Sequence, residues 1–214
     1  MIRRLISLGV LLAVLVGGDV AARGYVSSTV SKRAQQETPP GSTVSASVGG
    51  FPFVPPLVLS GTVKRASVHL ENVTAQVLVF ASVDVELRGV HLDRNRLFKD
   101  HKARITKIDH GSVHAVVTAD ALSNALHVPV KMAGGQILLT VAGTDIAVTP
   151  AVVNNHLTLT GSLAHAFTLA IPATGYVPCI STVAVLDQKM ELSCNITDVP
   201  PALLDTIQKG VNNG

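Results

Sequence analysis

The 214-residue chain has no tryptophan, only 3% aromatic residues and only 14% charged ones. Rings are too scarce to be its general core filler. A charged fraction well below the roughly 25% usual in soluble domains leaves apolar side chains to line something besides a dry core. Charge of one sign is scarce too. The formal net charge is +3 from 17 basic and 14 acidic residues; Arg3, Arg4 and Asp19 lie within residues 1–22, so 15 basic and 13 acidic residues follow, a balance of +2. No Lys/Arg run is interleaved with aromatics, so nucleic acid is not an expected partner.

Familiar catalytic signatures are also missing. There is no G-x-S-x-G elbow, no Walker loop and no dinucleotide fingerprint. The eight histidines are dispersed. His110 and His114 could share a strand face, but four residues of strand separate them by about 13 Å, too far for one metal ion. Asp84 and Glu86 have the spacing of a solvated strand face, and a glycosidase pair would need independent support. The chain is therefore expected to have no catalytic residues, no metal and no cofactor.

What is present begins at the N-terminus. Met1-Ile2-Arg3-Arg4 followed by the apolar run Leu5 to Val16 has the charged and apolar regions of an export signal, and Val20-Ala21-Ala22 offers small residues for cleavage. The run is short for a membrane-spanning helix of about 20 residues, although extension to Ala22 nearly reaches that length. Residues 1–22 are thus read as a signal peptide or an uncleaved signal anchor, placing the protein in the periplasm or cell envelope, with attachment to the cytoplasmic membrane if the segment is kept. No cysteine lies near it, which excludes a lipoprotein anchor.

The two cysteines, Cys179 and Cys194, fit an oxidising compartment. Val183 and Val185, then Met190, Leu192 and Cys194, alternate around a turn at Asp187-Gln188, so a disulfide would staple a hairpin.

Residues 23–41 read as a helix and linker, with Tyr25, Val26, Val30 and Ala34 at helical spacing before Pro39-Pro40-Gly41. From residue 42 to 214 the period becomes two. Strands are predicted over 43–48, 63–70, 77–90, 103–118, 136–141, 145–149, 156–160 and 165–171. Val83, Val85 and Leu87 against Asp84, Glu86 and Arg88 describe one apolar and one wet face. Val77 to Ala81 and Ile137 to Leu139 read as apolar on both faces. Thr118 is placed to cap a short helix over 119–126, and a second helix is predicted to start at Pro200-Pro201 and run to Gly210. The expected fold is α+β, mainly β: a long curved antiparallel sheet with a few helices against its concave side.

Gly50-Phe51-Pro52-Phe53 spends two of the five phenylalanines within four residues, at the junction between the helical stretch and the β-rich body. Such a pair beside a proline is first of all a core plug at a chain reversal. This motif, the N-terminal segment and its helix, Leu87-Arg88-Gly89-Val90, the Thr118 to Leu126 segment, Pro178-Cys179 and Asp198-Val199-Pro200, in this order, resemble the LmeA family of exported phospholipid-binding proteins over residues 20–210.

The resemblance implies a tubular lipid-binding (TULIP-like) architecture, in which a curved sheet wraps a helix and leaves an apolar groove for acyl chains. It also implies phospholipid partners of the phosphatidylinositol or cardiolipin type, and a role in envelope glycolipid maintenance such as mannan elongation on lipomannan. Val54-Pro55-Pro56-Leu57 departs from the family's usual short polar and leucine-rich stretch. Phe51, Phe53, Val54 and Leu57 are candidates for the apolar lining or for insertion into a membrane surface, and Lys64, Arg65 and Arg88 for a phosphate, or simply for solvated surface. A non-catalytic scaffold for a membrane glycosyltransferase is the alternative, and a hydrolase of envelope lipids or glycans using Asp84 is the third reading.

Overall fold

An edge strand presents unpaired N–H and C=O groups that must be covered or paired. In this protein a helix covers them, with side chains spaced for the task. A computed structural model describes residues 17–29, 31–32, 35, 41–75, 77–100, 104–153, 156–161, 167–169 and 181–197. Helix α1 occupies residues 17–29, and residues 31, 32 and 35 are also helical. It lies along β1 (Thr43–Gly49), the free edge of the first sheet.

Ser27, Ser31 and Gln35 stand four residues apart on one helix face. Ser27 Oγ accepts from the Val48 amide at 3.1 Å, Ser31 Oγ from Ala46 at 2.8 Å and Gln35 Oε1 from Val44 at 2.8 Å. Four helical residues rise about 6 Å and two strand residues about 6.6 Å, so the two ladders keep step. Gln35 Nε2 returns a bond to the Ser42 carbonyl at 2.6 Å.

After β1 the chain forms α2 (Val54–Ser60), β2 (Thr62–Ala75), β3 (Leu78–Leu92), α3 (Arg94–Lys99), β4 (Ile105–Thr118) and α4 (Ala119–Leu126). Then follow β5 (Val130–Ala133), β6 (Gln136–Val141), β7 (Thr144–Val153), β8 (His156–Gly161), β9 (Phe167–Leu169), β10 (Thr182–Leu186) and β11 (Lys189–Thr197). These make two open, curved antiparallel sheets, ordered β1-β2-β3-β4-β11-β10 and β5-β6-β7-β8-β9. The fold is α+β and mainly β, as expected, with the strands shared between two sheets.

One core joins the sheets. Val83, Val113, Val117, Met190 and Leu192 of the first meet Met132, Ile137, Leu139, Leu157 and Leu159 of the second, with Leu122 of α4 among them. Thr118 caps α4 through its hydroxyl to the Ala121 amide at 3.2 Å, as its position predicted. Gln188, in the β10–β11 turn, donates to the Met132 carbonyl and accepts from the Ala119 amide, stitching the sheets and α4 together.

Several local expectations differ from the structure. Val77 and Val79 are exposed while Leu78 and Phe80 are buried, so that run is one-sided. The short elements α2, α3 and β5 were not anticipated. The predicted helix over 200–210, Cys179 and most of the predicted strand 165–171 lie outside the described residues. Cys194 is buried on β11, opposite Val113. No helix of the described residues is long and apolar enough to cross a membrane.

Candidate lipid-binding seam

The Gly50-Phe51-Pro52-Phe53 segment turns the chain from β1 into α2. Gly50 has φ 102°, and a Cβ there would stand 2.8 Å from that of Lys64, so the turn requires glycine. The Phe51–Pro52 bond is cis. The two rings separate: Phe53 is 3% exposed and Phe51 63%. Pro55 and Pro56 fall in the first turn of α2, where a missing amide hydrogen costs nothing. The amides of Phe53 and Val54 donate to Asp19 Oδ1 of α1 at 2.7 and 2.6 Å, and Asp19 is itself buried.

Phe53, Val63, Val90 and Ile108 form a second, smaller core, against which Val26 of α1, Val48, Val54, Leu57, Ala66, Leu87, Leu92 and Ile105 pack. This cluster continues into the main core along the inner face of β2 and β3. Ala66 pairs with Leu87 and Val68 with Val85, and these four side chains are only half-buried. Val63 to Leu70 spans about 23 Å of strand. An acyl chain reaches about 15 Å, half of a roughly 30 Å bilayer core. The seam therefore matches an acyl chain in length and apolarity, and burial of a methylene on such a surface is worth about 0.8 kcal/mol.

The direction of the side chains changes beside this cluster. Between Arg65↔Arg88 and Val63↔Val90 the inward position shifts by one residue on both strands, at Gly89, which has φ 63°. A Cβ on Gly89 would collide with the Asp109 carboxylate. Val63 and Val90 thereby turn inward while Arg65 and Arg88 stay outside.

The structure accordingly brings together Phe53, Val54 and Leu57 from the sequence-derived set, with Phe51 and Lys64 at the rim, where Lys64 Nζ donates to the Phe51 carbonyl at 3.3 Å. Arg65 and Arg88 are on the opposite face of the sheet, each 3.0 Å from Glu86 Oε1. Their guanidiniums, Arg88 foremost, hold the Glu86 carboxyl below its usual range. That outer face carries a polar row, with Ser45, His69, Asp84, His114 and Ser193 in register across five strands. His69 Nδ1 lies 2.6 Å from Asp84 and Nε2 3.3 Å from Glu71, which raises the His69 pKa. Asp109 meets Lys107 at 2.8 Å and His91 at 3.1 Å, and both lower its pKa.

Sequence reasoning identified the apolar face of Val83, Val85 and Leu87 but not its partners Ala66 and Val68 as a lining. Period two was the signal that could have found them. Among the described residues no three His, Cys, Asp or Glu side chains are grouped to hold a metal ion. A separate open depression beside α4 is lined by Asp120, Ser123, Asn124, His127, Val128, Pro129, Val130 and Lys131.

The family described as LmeA-like phospholipid-binding matches residues 17–213. No curated protein and no solved structure matches the chain.

Proposed function

Since the chain belongs to the LmeA-like phospholipid-binding family, we propose that it is an exported, non-catalytic protein of the cell envelope. It binds or transfers phospholipid on the outer side of the cytoplasmic membrane, in support of glycolipid maintenance of the lipomannan type. The family match over 17–213 carries the phospholipid-binding part of this reading. The half-buried seam of Ala66, Val68, Val85 and Leu87 supports it physically, since it offers an acyl chain apolar contact without polar chemistry. Arg3, Arg4 and the apolar run after them support export.

Phospholipids of the phosphatidylinositol or cardiolipin type are the proposed ligands. Transfer of labelled phosphatidylinositol and cardiolipin between donor and acceptor vesicles tests the reading. Transfer that depends on the protein and is lost in Val68→Glu supports it. Absence of both binding and transfer, with a stable glycosyltransferase partner instead, favours the scaffold.

A further inference from the structure

The end of the molecule that bears α2 and α3 carries an apolar patch beside a basic one. Phe51, Val58, Leu59 and Phe98 are 63%, 42%, 72% and 49% exposed. Two backbone-directed contacts tie the C-terminal end of α2 to the N-terminal end of α3: Arg94 Nη1 donates to the Leu59 carbonyl at 2.7 Å, and the Leu92 amide to the Gly61 carbonyl at 2.7 Å. Around them stand Lys64, Arg94, Arg96, Lys99 and Arg104, with Asp93 and Asp100 of opposite sign and the Asp19 carboxylate buried against the Phe53 and Val54 amides. The Asp93 carboxylate is already engaged by the amides of Asn95 and Arg96.

Asp19 gives this end a direction. Because its carboxylate holds the Phe53 and Val54 amides, residue 17 lies within about 13 Å of Phe53, given at most about 3.6 Å of chain per residue and the reach of the Asp19 side chain. The apolar run Leu5 to Val16, preceded by Arg3 and Arg4, ends immediately before residue 17. A membrane that takes up this run is thus brought to the α2–α3 end. The β2–β3 hairpin tip, with Val77 exposed, is about 40 Å of strand away.

We propose that the α2–α3 end is a docking face for an anionic phospholipid bilayer, with Phe51, Val58, Leu59 and Phe98 entering the interface and Arg94, Arg96 and Lys99 meeting lipid phosphates. Aromatic and leucine side chains beside lysine and arginine are the chemistry of interfacial binding. The proposal rests on the phospholipid-binding reading and adds which end meets the membrane. It also places the rim of the seam, at Phe51 and Lys64, beside the bilayer from which a lipid would enter.

The absence of tryptophan makes the test direct. The full chain, carrying Leu59→Trp, Phe98→Trp or, at the far end, Val77→Trp, is reconstituted with phosphatidylcholine vesicles containing phosphatidylglycerol and brominated acyl chains. All three positions are exposed, so folding is not at risk. The expected result is a blue shift and several-fold stronger quenching at 59 and 98 than at 77, weakened when phosphatidylglycerol is omitted or Arg96→Glu and Lys99→Glu are added. Solvent-like, unquenched emission at 59 and 98, or equal quenching at 77, overturns the docking face. Phospholipid retained by the same protein in that case leaves the phospholipid-binding reading standing, whereas its loss as well removes both.

Discussion

Asp19 accepts the backbone N–H of Phe53 at 2.7 Å across 34 residues, and the Val54 amide at 2.6 Å on the same oxygen. A residue inside the sequence-predicted signal region is therefore part of the folded domain. Cleavage after Ala22 would remove the carboxylate that holds the turn into α2 and leave two amides to find other partners. Peptide mapping of the protein from its native host is expected to recover residues 17–22 attached to the rest. An N-terminus at Arg23 would contradict this.

Asp19→Ala is expected to lower stability by about 2–3 kcal/mol, the scale of hydrogen bonds to a charged group together with the donors left unpaired. Asp19→Asn, which keeps an acceptor, should lose less. Urea unfolding at neutral pH separates them, and equal stability of all three proteins would mean that the buried carboxylate contributes nothing.

The two phenylalanines of the turn should behave differently. Phe53→Ala opens a cavity in the smaller core and is expected to cost about 3–5 kcal/mol. Phe51→Ala removes an exposed ring, so its melting temperature should stay near that of the parent while its association with vesicles weakens. The double variant mixes both effects. A large loss of stability in Phe51→Ala would contradict the separation.

How much of this was legible in the sequence depended on how far each signal reaches. The bounds of α4 were readable because a threonine cap and an apolar period coincide within nine residues. The two faces of β3 were readable from strict alternation at Val83 to Leu87. Helix α2 was hidden because Pro55-Pro56 reads as a break, although proline is well tolerated in a first turn. The six residues of α3 and four of β5 are too short to show a period. Arg88 falls on the wet face of the Val83 to Leu87 alternation, but strict period two from Val63 would turn Arg65 inward; the one-residue shift beside Gly89 leaves it outside, and only the folded register shows this. The role of Asp19 depends on a contact that no local pattern encodes.

His69 supplies a pH signature. Asp84 first, then Glu71, raise its pKa above the ordinary 6.5, so its favourable contribution is complete below that value and is lost as pH rises through the folded-state pKa. Glu86 and Asp109 act oppositely. Their pKa values are lowered by Arg88 and Lys107 respectively, so what they contribute is present at neutral pH and is lost as pH falls through their folded-state values. A histidine NMR titration should give His69 a midpoint above 6.5 that falls in Asp84→Asn. An unchanged midpoint in that variant would show that Asp84 is not the cause.

Cys179 and Cys194, 15 residues apart, are expected to be joined in the protein from its native host, which then takes up no alkylating reagent until reduced. Closing a loop of this length contributes about 3 kcal/mol in the chain-entropy picture. Two alkylated thiols without reduction would mean that the pair is open.

The most direct measurement is of lipid carried by the protein itself. The full chain is purified from membranes in a non-lipid detergent, washed extensively, extracted with organic solvent and analysed by mass spectrometry beside Val68→Glu, which puts a charge into the half-buried seam. Phospholipid in stoichiometric amount with the parent and strongly depleted in the variant is the predicted result. A folded parent free of phospholipid, or equal lipid in both proteins, would contradict an acyl-chain site on the inner face of β2 and β3.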